Sequence, residues 1–183
     1  YEILRCLVGS EMCIRDSHRT GEPEMTYTAA VITVSDSMSM GQRTDTSGPA
    51  ICSMLEEAGY SVVHTAIVPD DIPAIRAELT ACADEKQLDL IITTGGTDLS
   101  HRDVTPEATL GILEREIRAI PVAMWMEGLK HTPRAMLSRA VAGTRGHSLI
   151  LNLPGSEKAA RENLSAVIAT LEHALRMMAA EGH

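Results

Sequence analysis

The chain has 183 residues, 44 % hydrophobic and 22 % charged, the size and mix of one globular domain with a short tail rather than a two-domain enzyme. A net charge of −9 argues against a general grip on a nucleic-acid backbone, and 2 % aromatics with no Phe leave no stacking platform for single strands. No stretch reaches the ~18 apolar residues of a membrane helix, and the run Leu4–Val8, broken by Arg5, is too short for a secretory h-region.

Residues 1–24 carry no periodicity and no turn logic. They read as a non-native or disordered tail, and the domain is expected over 25–183, opening at Met25. Cys6, Cys13, Cys52 and Cys82 form no CxxC pattern, so neither a disulfide framework nor a zinc site is expected, and a reducing cytoplasm is the default compartment.

Ala29–Val34 is a short Val/Ile-rich run, expected as a buried strand. A polar loop, Ser35–Thr46, leads to Ser47-Gly48-Pro49, which opens a helix with Ile51, Leu55 and Ala58 inward and Gly59 as its stop. Ser61–Val68 is a second strand. Asp71, after the turn Pro69-Asp70-Asp71, caps a helix Ile72–Lys86 with Ile72, Ile75, Leu79 and Cys82 on one face. Leu88–Thr94 is a third strand, ended by Gly95-Gly96. Thr105-Pro106 opens another helix with Thr105 as N-cap, and Arg118–Arg139 holds helices around Val122–Leu129 and Arg134–Leu137. Ala140–Leu153 reads as two strands about a Gly143–Gly146 turn. The last helix follows Pro154-Gly155-Ser156 and buries Leu164, Val167, Ile168, Leu171, Leu175 and Met178. Repeated strand–helix units imply a mostly parallel sheet in a three-layer α/β/α sandwich.

Such sheets bind ligands beyond the carboxyl ends of their strands. Four loops leave those ends: Ser35-Asp36-Ser37, Pro69-Asp70-Asp71, Gly95–Asp103 and Asn152–Ser156. Gly95 and Gly96 let the backbone approach a ligand, and Thr97 and Ser100 offer hydroxyls. Asp70 and Asp103, at neighbouring mouths, are the carboxylate pair a Mg²⁺–phosphate site needs, although each also fits a turn or capping role. Ser156 is either an N-cap or part of an anion site at a helix start. The histidines at 64, 131, 147 and 173 show no ligand spacing and read as structural or surface residues.

The string Thr93-Thr94-Gly95-Gly96-Thr97, followed by Arg102-Asp103-Val104-Thr105-Pro106-Glu107-Ala108-Thr109, resembles the MoaB/Mog family of molybdenum cofactor biosynthesis. Val34-Ser35-Asp36-Ser37, Asp45-Thr46-Ser47-Gly48-Pro49, Leu137-Ser138-Arg139 and Asn152-Leu153-Pro154-Gly155-Ser156 follow in family order, so the resemblance spans about Tyr27 to His173. It implies a molybdopterin-binding fold and a Mg-dependent adenylyltransferase that joins AMP from ATP to molybdopterin and releases pyrophosphate. It further implies a homotrimer or higher oligomer in the cytoplasm, with the molybdate-insertion enzyme of the same pathway as a partner. By position, it implies that Asp70 and Asp103 serve metal and catalysis, that Gly95, Gly96 and Thr97 cradle phosphates, and that Ser35, Asp36, Pro154, Gly155 and Ser156 line the ligand. Asp98 replaces the glycine that usually ends the family's Gly-Gly-Thr-Gly loop, and the segment Arg118–Trp125 lacks the family's Gly, Glu and Arg. Weakened nucleotide binding is the expectation that follows, with a molybdopterin-binding protein lacking adenylyl transfer as the alternative function.

Overall fold

The computed structural model describes residues 26–180. The expected tail, 1–24, lies outside the described residues. Strands β1 (Thr28–Val34), β2 (Ser61–Val68), β3 (Leu90–Thr94), β4 (Arg115–Glu116), β5 (Ala142–Arg145) and β6 (Ser148–Leu153) form one sheet in the order β2-β1-β3-β6-β5-β4. The first four of that order run parallel, and β5 and β4 join antiparallel. The carboxyl ends of β2, β1, β3 and β6 therefore share one edge.

Helices α1 (Asp36–Ser39), α2 (Ser47–Glu57), α3 (Ile72–Thr80), α4 (Thr105–Leu110), α5 (Ala119–His131) and α6 (Glu157–Ala179) complete the element order. A π-helical turn, Ala81–Glu85, extends α3, and a 3₁₀ turn, Pro133–Leu137, follows α5. Alternation along the strands splits the core in two. Ala29, Val31, Leu90, Ile92, Leu149 and Leu151 pack with Ile51, Leu55, Met124, Leu164 and Leu171 from α2, α5 and α6. Ala30, Ile32, Ile91 and Ile150 pack with Ile75, Leu79, Cys82 and Ala108 on the opposite face. The architecture is the expected three-layer sandwich with a mostly parallel sheet.

Several local expectations change. The loop after β1 contains α1, because Ser35 is extended and its hydroxyl accepts from Met38 N–H as an N-cap. Ala58 is exposed, since α2 ends at Glu57 and Ala58 is its C-cap. The π turn replaces the last turn of the expected helix 72–86. Helix α5 starts at Ala119, three residues before the expected Val122. Pro121 is tolerated because first-turn N–H groups have no intrahelical acceptor. Gly143 lies within β5 rather than in a turn. A Cβ there would stand 2.2 Å from the Arg115 carbonyl oxygen of β4, a strand the sequence pattern did not reveal.

Candidate functional site

The carboxyl edge of the parallel strands gathers the predicted loops into one mouth. Ser35 N–H donates to the Val68 carbonyl at 2.9 Å, which holds the ends of β1 and β2 together. Asp36 and Asp70 then bond reciprocally. Asp36 N–H donates to Asp70 Oδ2 at 2.8 Å, and Asp70 N–H donates to Asp36 Oδ1 at 3.0 Å. The other Asp36 oxygen accepts from the Arg102 guanidinium. Asp36 is thus a strut between three loops, while Asp70 keeps Oδ1 beside Gly96, where a Cβ would stand 3.2 Å away.

Gly95 and Gly96 have φ of +102° and +64°. Here glycine is required: a Cβ at Gly95 would meet the Val34 carbonyl oxygen at 2.3 Å, and one at Gly96 would meet Thr105 Oγ1 at 2.3 Å. The Gly95 N–H donates to the Leu153 carbonyl at 3.1 Å, so this residue shapes the loop rather than donating to a ligand. Thr105 lies at the first position of α4 rather than capping it, and its hydroxyl donates to the Gly95 carbonyl at 2.9 Å. The Pro154 carbonyl accepts from Thr94 Oγ1 at 2.8 Å, and Gly155 packs onto Gly95. Ser156 caps α6 through Ala159 N–H. Asn152, by contrast, faces the core. Its side chain donates to Thr93 Oγ1 at 2.8 Å and Thr109 Oγ1 at 3.0 Å.

Asp103 Oδ2 accepts from Ser100 N–H at 2.8 Å, which folds residues 100–103 into a tight turn. Burial holds the Asp70 carboxyl above its ordinary range. The Asp36 N–H and Arg102 oppose that shift, and the facing charges of Asp36 and Asp103 add to it. Asp98 is raised as well, by desolvation and then by Asp103, with Arg139 opposing. The mouth therefore concentrates negative charge that a cation would relieve. Thr97 is 1 % exposed, and its hydroxyl has no partner among the described residues. Asp98 itself is exposed and does not adopt positive φ, so the fourth loop position makes no backbone demand for glycine.

Arg139 is the residue whose part in the mouth the sequence did not disclose. Its N–H donates to the Thr97 carbonyl at 2.9 Å and its Nε to the Asp98 carbonyl at 2.7 Å. Its two terminal nitrogens reach the Asp103 carbonyl and the Glu107 carboxylate. One guanidinium thereby ties both ends of the loop to α4. Only its place in Leu137-Ser138-Arg139 pointed to it.

A separate cavity of about 320 Å³ lies between α2 and β2, lined by Thr33, Asp45, Gly48, Cys52, Thr65 and Ile67 among others. None of the mouth residues lines it. Its one carboxylate, Asp45, is spent on Thr33 Oγ1 at 2.6 Å, Ser47 Oγ at 3.2 Å and Gly48 N–H at 3.0 Å. The mouth remains the better candidate for phosphate chemistry.

Residues 30–173 match the family described as "Probable molybdopterin binding domain". The chain belongs to this family. It is 42 % identical over 153 residues to the fly (Drosophila melanogaster) molybdenum cofactor synthesis protein cinnamon, covering 82 % of this chain but only 25 % of that protein. It thus spans about a quarter of that relative's length. It is 40 % identical over 150 residues to a molybdopterin adenylyltransferase of Helicobacter pylori, covering 81 % and 85 % of the two chains. The crystal structure of the molybdopterin biosynthesis enzyme MoaB from Thermus thermophilus superposes with a TM-score of 0.80 at 47 % identity, covering 84 % of this chain and 96 % of that one. The sheet order and the mouth described above are thus those of a member of the molybdopterin-binding family.

Proposed function

We propose that this protein is a molybdopterin adenylyltransferase acting in molybdenum cofactor biosynthesis. The observation that carries the reading is the meeting of Asp70 and Asp103 with the Gly95-Gly96-Thr97 turn at the carboxyl ends of β1, β2 and β3. Relatives bearing that activity's name, matched over 85 % and 71 % of their length, support it. A terminal phosphate oxygen of molybdopterin attacks the α-phosphorus of ATP. The new P–O bond forms as the bond to the β-phosphate oxygen breaks, and pyrophosphate leaves with the electron pair. The nucleophile is already anionic, so alignment and charge neutralisation dominate the barrier.

The donor set fits Mg²⁺, which takes one or two carboxylates and completes its shell with phosphate and water oxygens. Asp70, held above its ordinary range by burial, and Asp103 would hold it. Bound there, it would neutralise charge on the phosphates. Gly96 and Thr97 bring backbone and a buried hydroxyl to the phosphates, while Gly95 fixes their turn. Ser35 and Asp36 hold the β1 loop against Asp70, and Ser100 shapes the turn carrying Asp103. Pro154 and Gly155 pack against Thr94 and Gly95 beside the turn, and Ser156 caps α6 next to them.

The same reading puts the protein in the cytoplasm as a homotrimer or higher oligomer, handing product to the molybdate-insertion enzyme. Assembly is supported by exposed Val122, Met126 and Leu129 on one face of α5, with Met136 and Leu137 exposed in the turn after it. Among the described residues no helix is long and apolar enough to cross a membrane. Incubation with molybdopterin, ATP and Mg²⁺ tests the activity by adenylylated pterin and pyrophosphate. Turnover is expected. Pterin binding without turnover would leave the binding protein, the reading that the extra carboxylate at Asp98 favours.

A further inference from the structure

A second cluster of polar side chains lies away from the mouth, at the outer edge of the sheet. His64 is on edge strand β2, four residues before its carboxyl end, or about 13 Å back along the strand. It turns to the α3 face, as its register with Ala30 requires. Glu78 and Cys82 are one helical turn apart on α3 and its π extension. His64 Nε2 lies 2.6 Å from Glu78 Oε1, and Cys82 Sγ lies 3.7 Å from the same oxygen. One nitrogen, one oxygen and one sulfur thus fall within 4.8 Å of one another. Among the described residues no other group of three such side chains does so.

Two further observations mark the position. The regular helix gives way to a π turn at Ala81–Glu85, the turn that carries Cys82, and such turns recur at functional sites. A cation also already stands there. Lys86 Nζ lies 3.0 Å from His64 Nε2 and 3.8 Å from Glu78 Oε1. Lys86 is on a flexible stem with its side chain 41 % exposed, whereas His64 and Glu78 are about a quarter exposed.

We propose that His64, Glu78 and Cys82 form a binding site for a borderline-soft divalent transition ion, Zn²⁺ being the natural occupant, with Lys86 holding the place of the ion in its absence. The donor set of imidazole, carboxylate and thiolate is that of tetrahedral zinc with one position open. Ligands at roughly 2.0–2.3 Å from such an ion stand on the order of 3.3–3.8 Å apart. The Cys82–Glu78 spacing already matches, and the His64–Glu78 hydrogen bond opens slightly to admit the ion. On binding, the Cys82 S–H bond breaks, the sulfur electron pair goes to the metal and the proton goes to solvent. The ion would pin β2 to α3. Cysteine spacing alone gave no zinc pattern, because one ligand comes from a strand and two from the next helix.

The test titrates Co²⁺ into the metal-freed full chain, since thiolate–cobalt charge transfer reports sulfur ligation directly. A band saturating at one equivalent is expected, displaced by Zn²⁺. It is abolished in Cys82→Ser, and affinity falls roughly tenfold or more in His64→Gln. Lys86→Ala, by removing the competing ammonium, raises affinity. The wild-type measurement is decisive whether or not the variants fold: absence of the band overturns the proposal. So does a band that survives Cys82→Ser or Cys82→Ala in protein with native circular dichroism, because the sulfur would then be another cysteine. Ligand-free protein suffices throughout, so adenylyl transfer can fail without affecting this result.

Discussion

At the amino end of the sheet, the Asp89 carboxylate accepts from the N–H of Thr28 at 2.8 Å and from its hydroxyl at 2.7 Å, tying the start of β1 to the start of β3. Nearby, Ser148 Oγ donates to the Leu88 carbonyl and the His147 ring contacts the Gln87 carbonyl at 2.8 Å. At the carboxyl end the same residue types are left in tension. Asp70 is held above its ordinary range by burial and by facing carboxylates, Asp98 is raised by partial desolvation and by Asp103, and the buried Thr97 hydroxyl lacks a partner among the described residues. One end uses a carboxylate to close the fold, and the other keeps carboxylates short of neutralisation. Polar groups whose needs the protein does not meet are where a ligand has something to gain.

Substitution separates the two ends. Asp70→Ala or Asp103→Ala is expected to lower kcat/KM for adenylyl transfer on the order of 10³-fold, with thermal stability retained, measured by pyrophosphate release alongside a melting curve. A loss of stability equal to that of an amino-end variant would erase the contrast. Gly95→Ala forces a side chain into positive φ against the Val34 carbonyl and should cost about 3 kcal/mol in urea unfolding. Asp89→Ala should cost about 0.5–1.5 kcal/mol by removing two hydrogen bonds to half-buried donors, yet leave kcat/KM of the folded protein unchanged. Arg139→Ala frees the loop 97–103, and KM for ATP should rise roughly tenfold with a smaller change in kcat. Lysine there should not restore it, having one point donor in place of a fork.

The smallest effect concerns pH. The folded-state Asp70 carboxyl is raised, so ionising it costs stability. That cost is absent below its ordinary value of 3.8 and complete once pH has risen through the folded-state value. Asp70→Asn should therefore raise the Tm of the ligand-free protein at neutral pH while lowering turnover as Asp70→Ala does, and the Tm gap should close in acid. A gap that widens in acid would mean that Asp70 is stabilising and belongs with Asp89.

The parallel strands were legible because β1, β3 and β6 are buried on both faces and carry apolar stretches at 29–32, 90–92 and 149–151. The two-residue strand β4, both of whose residues are exposed, carries no such signal. The start of α5 was not legible, because Pro121 is compatible with a helix only within its first turn, a place that the fold alone reveals. The loops of the mouth were legible through their glycines and acids. Arg139 was not, because its contacts cross more than thirty residues of chain and mostly meet backbone carbonyls, which leave no mark in side-chain pattern. Thr105 was misassigned for a related reason: a threonine before proline fits a cap, and only the fold shows its hydroxyl turned to Gly95.

The order of the strands also has a consequence for synthesis. Strand β3 lies at the centre of the sheet, but its partner β6 lies 59 residues further along, Leu90 pairing with Leu149. On a ribosome adding about 5–20 residues per second, the Leu90–Thr94 edge waits roughly 3 to 12 s for the strand that covers it. During that interval an apolar, β-branched edge is open to any neighbouring chain. The nascent protein is thus expected to be most prone to aggregate after its first three strands have emerged, and slower translation between β3 and β6 should lower soluble yield without altering the finished fold.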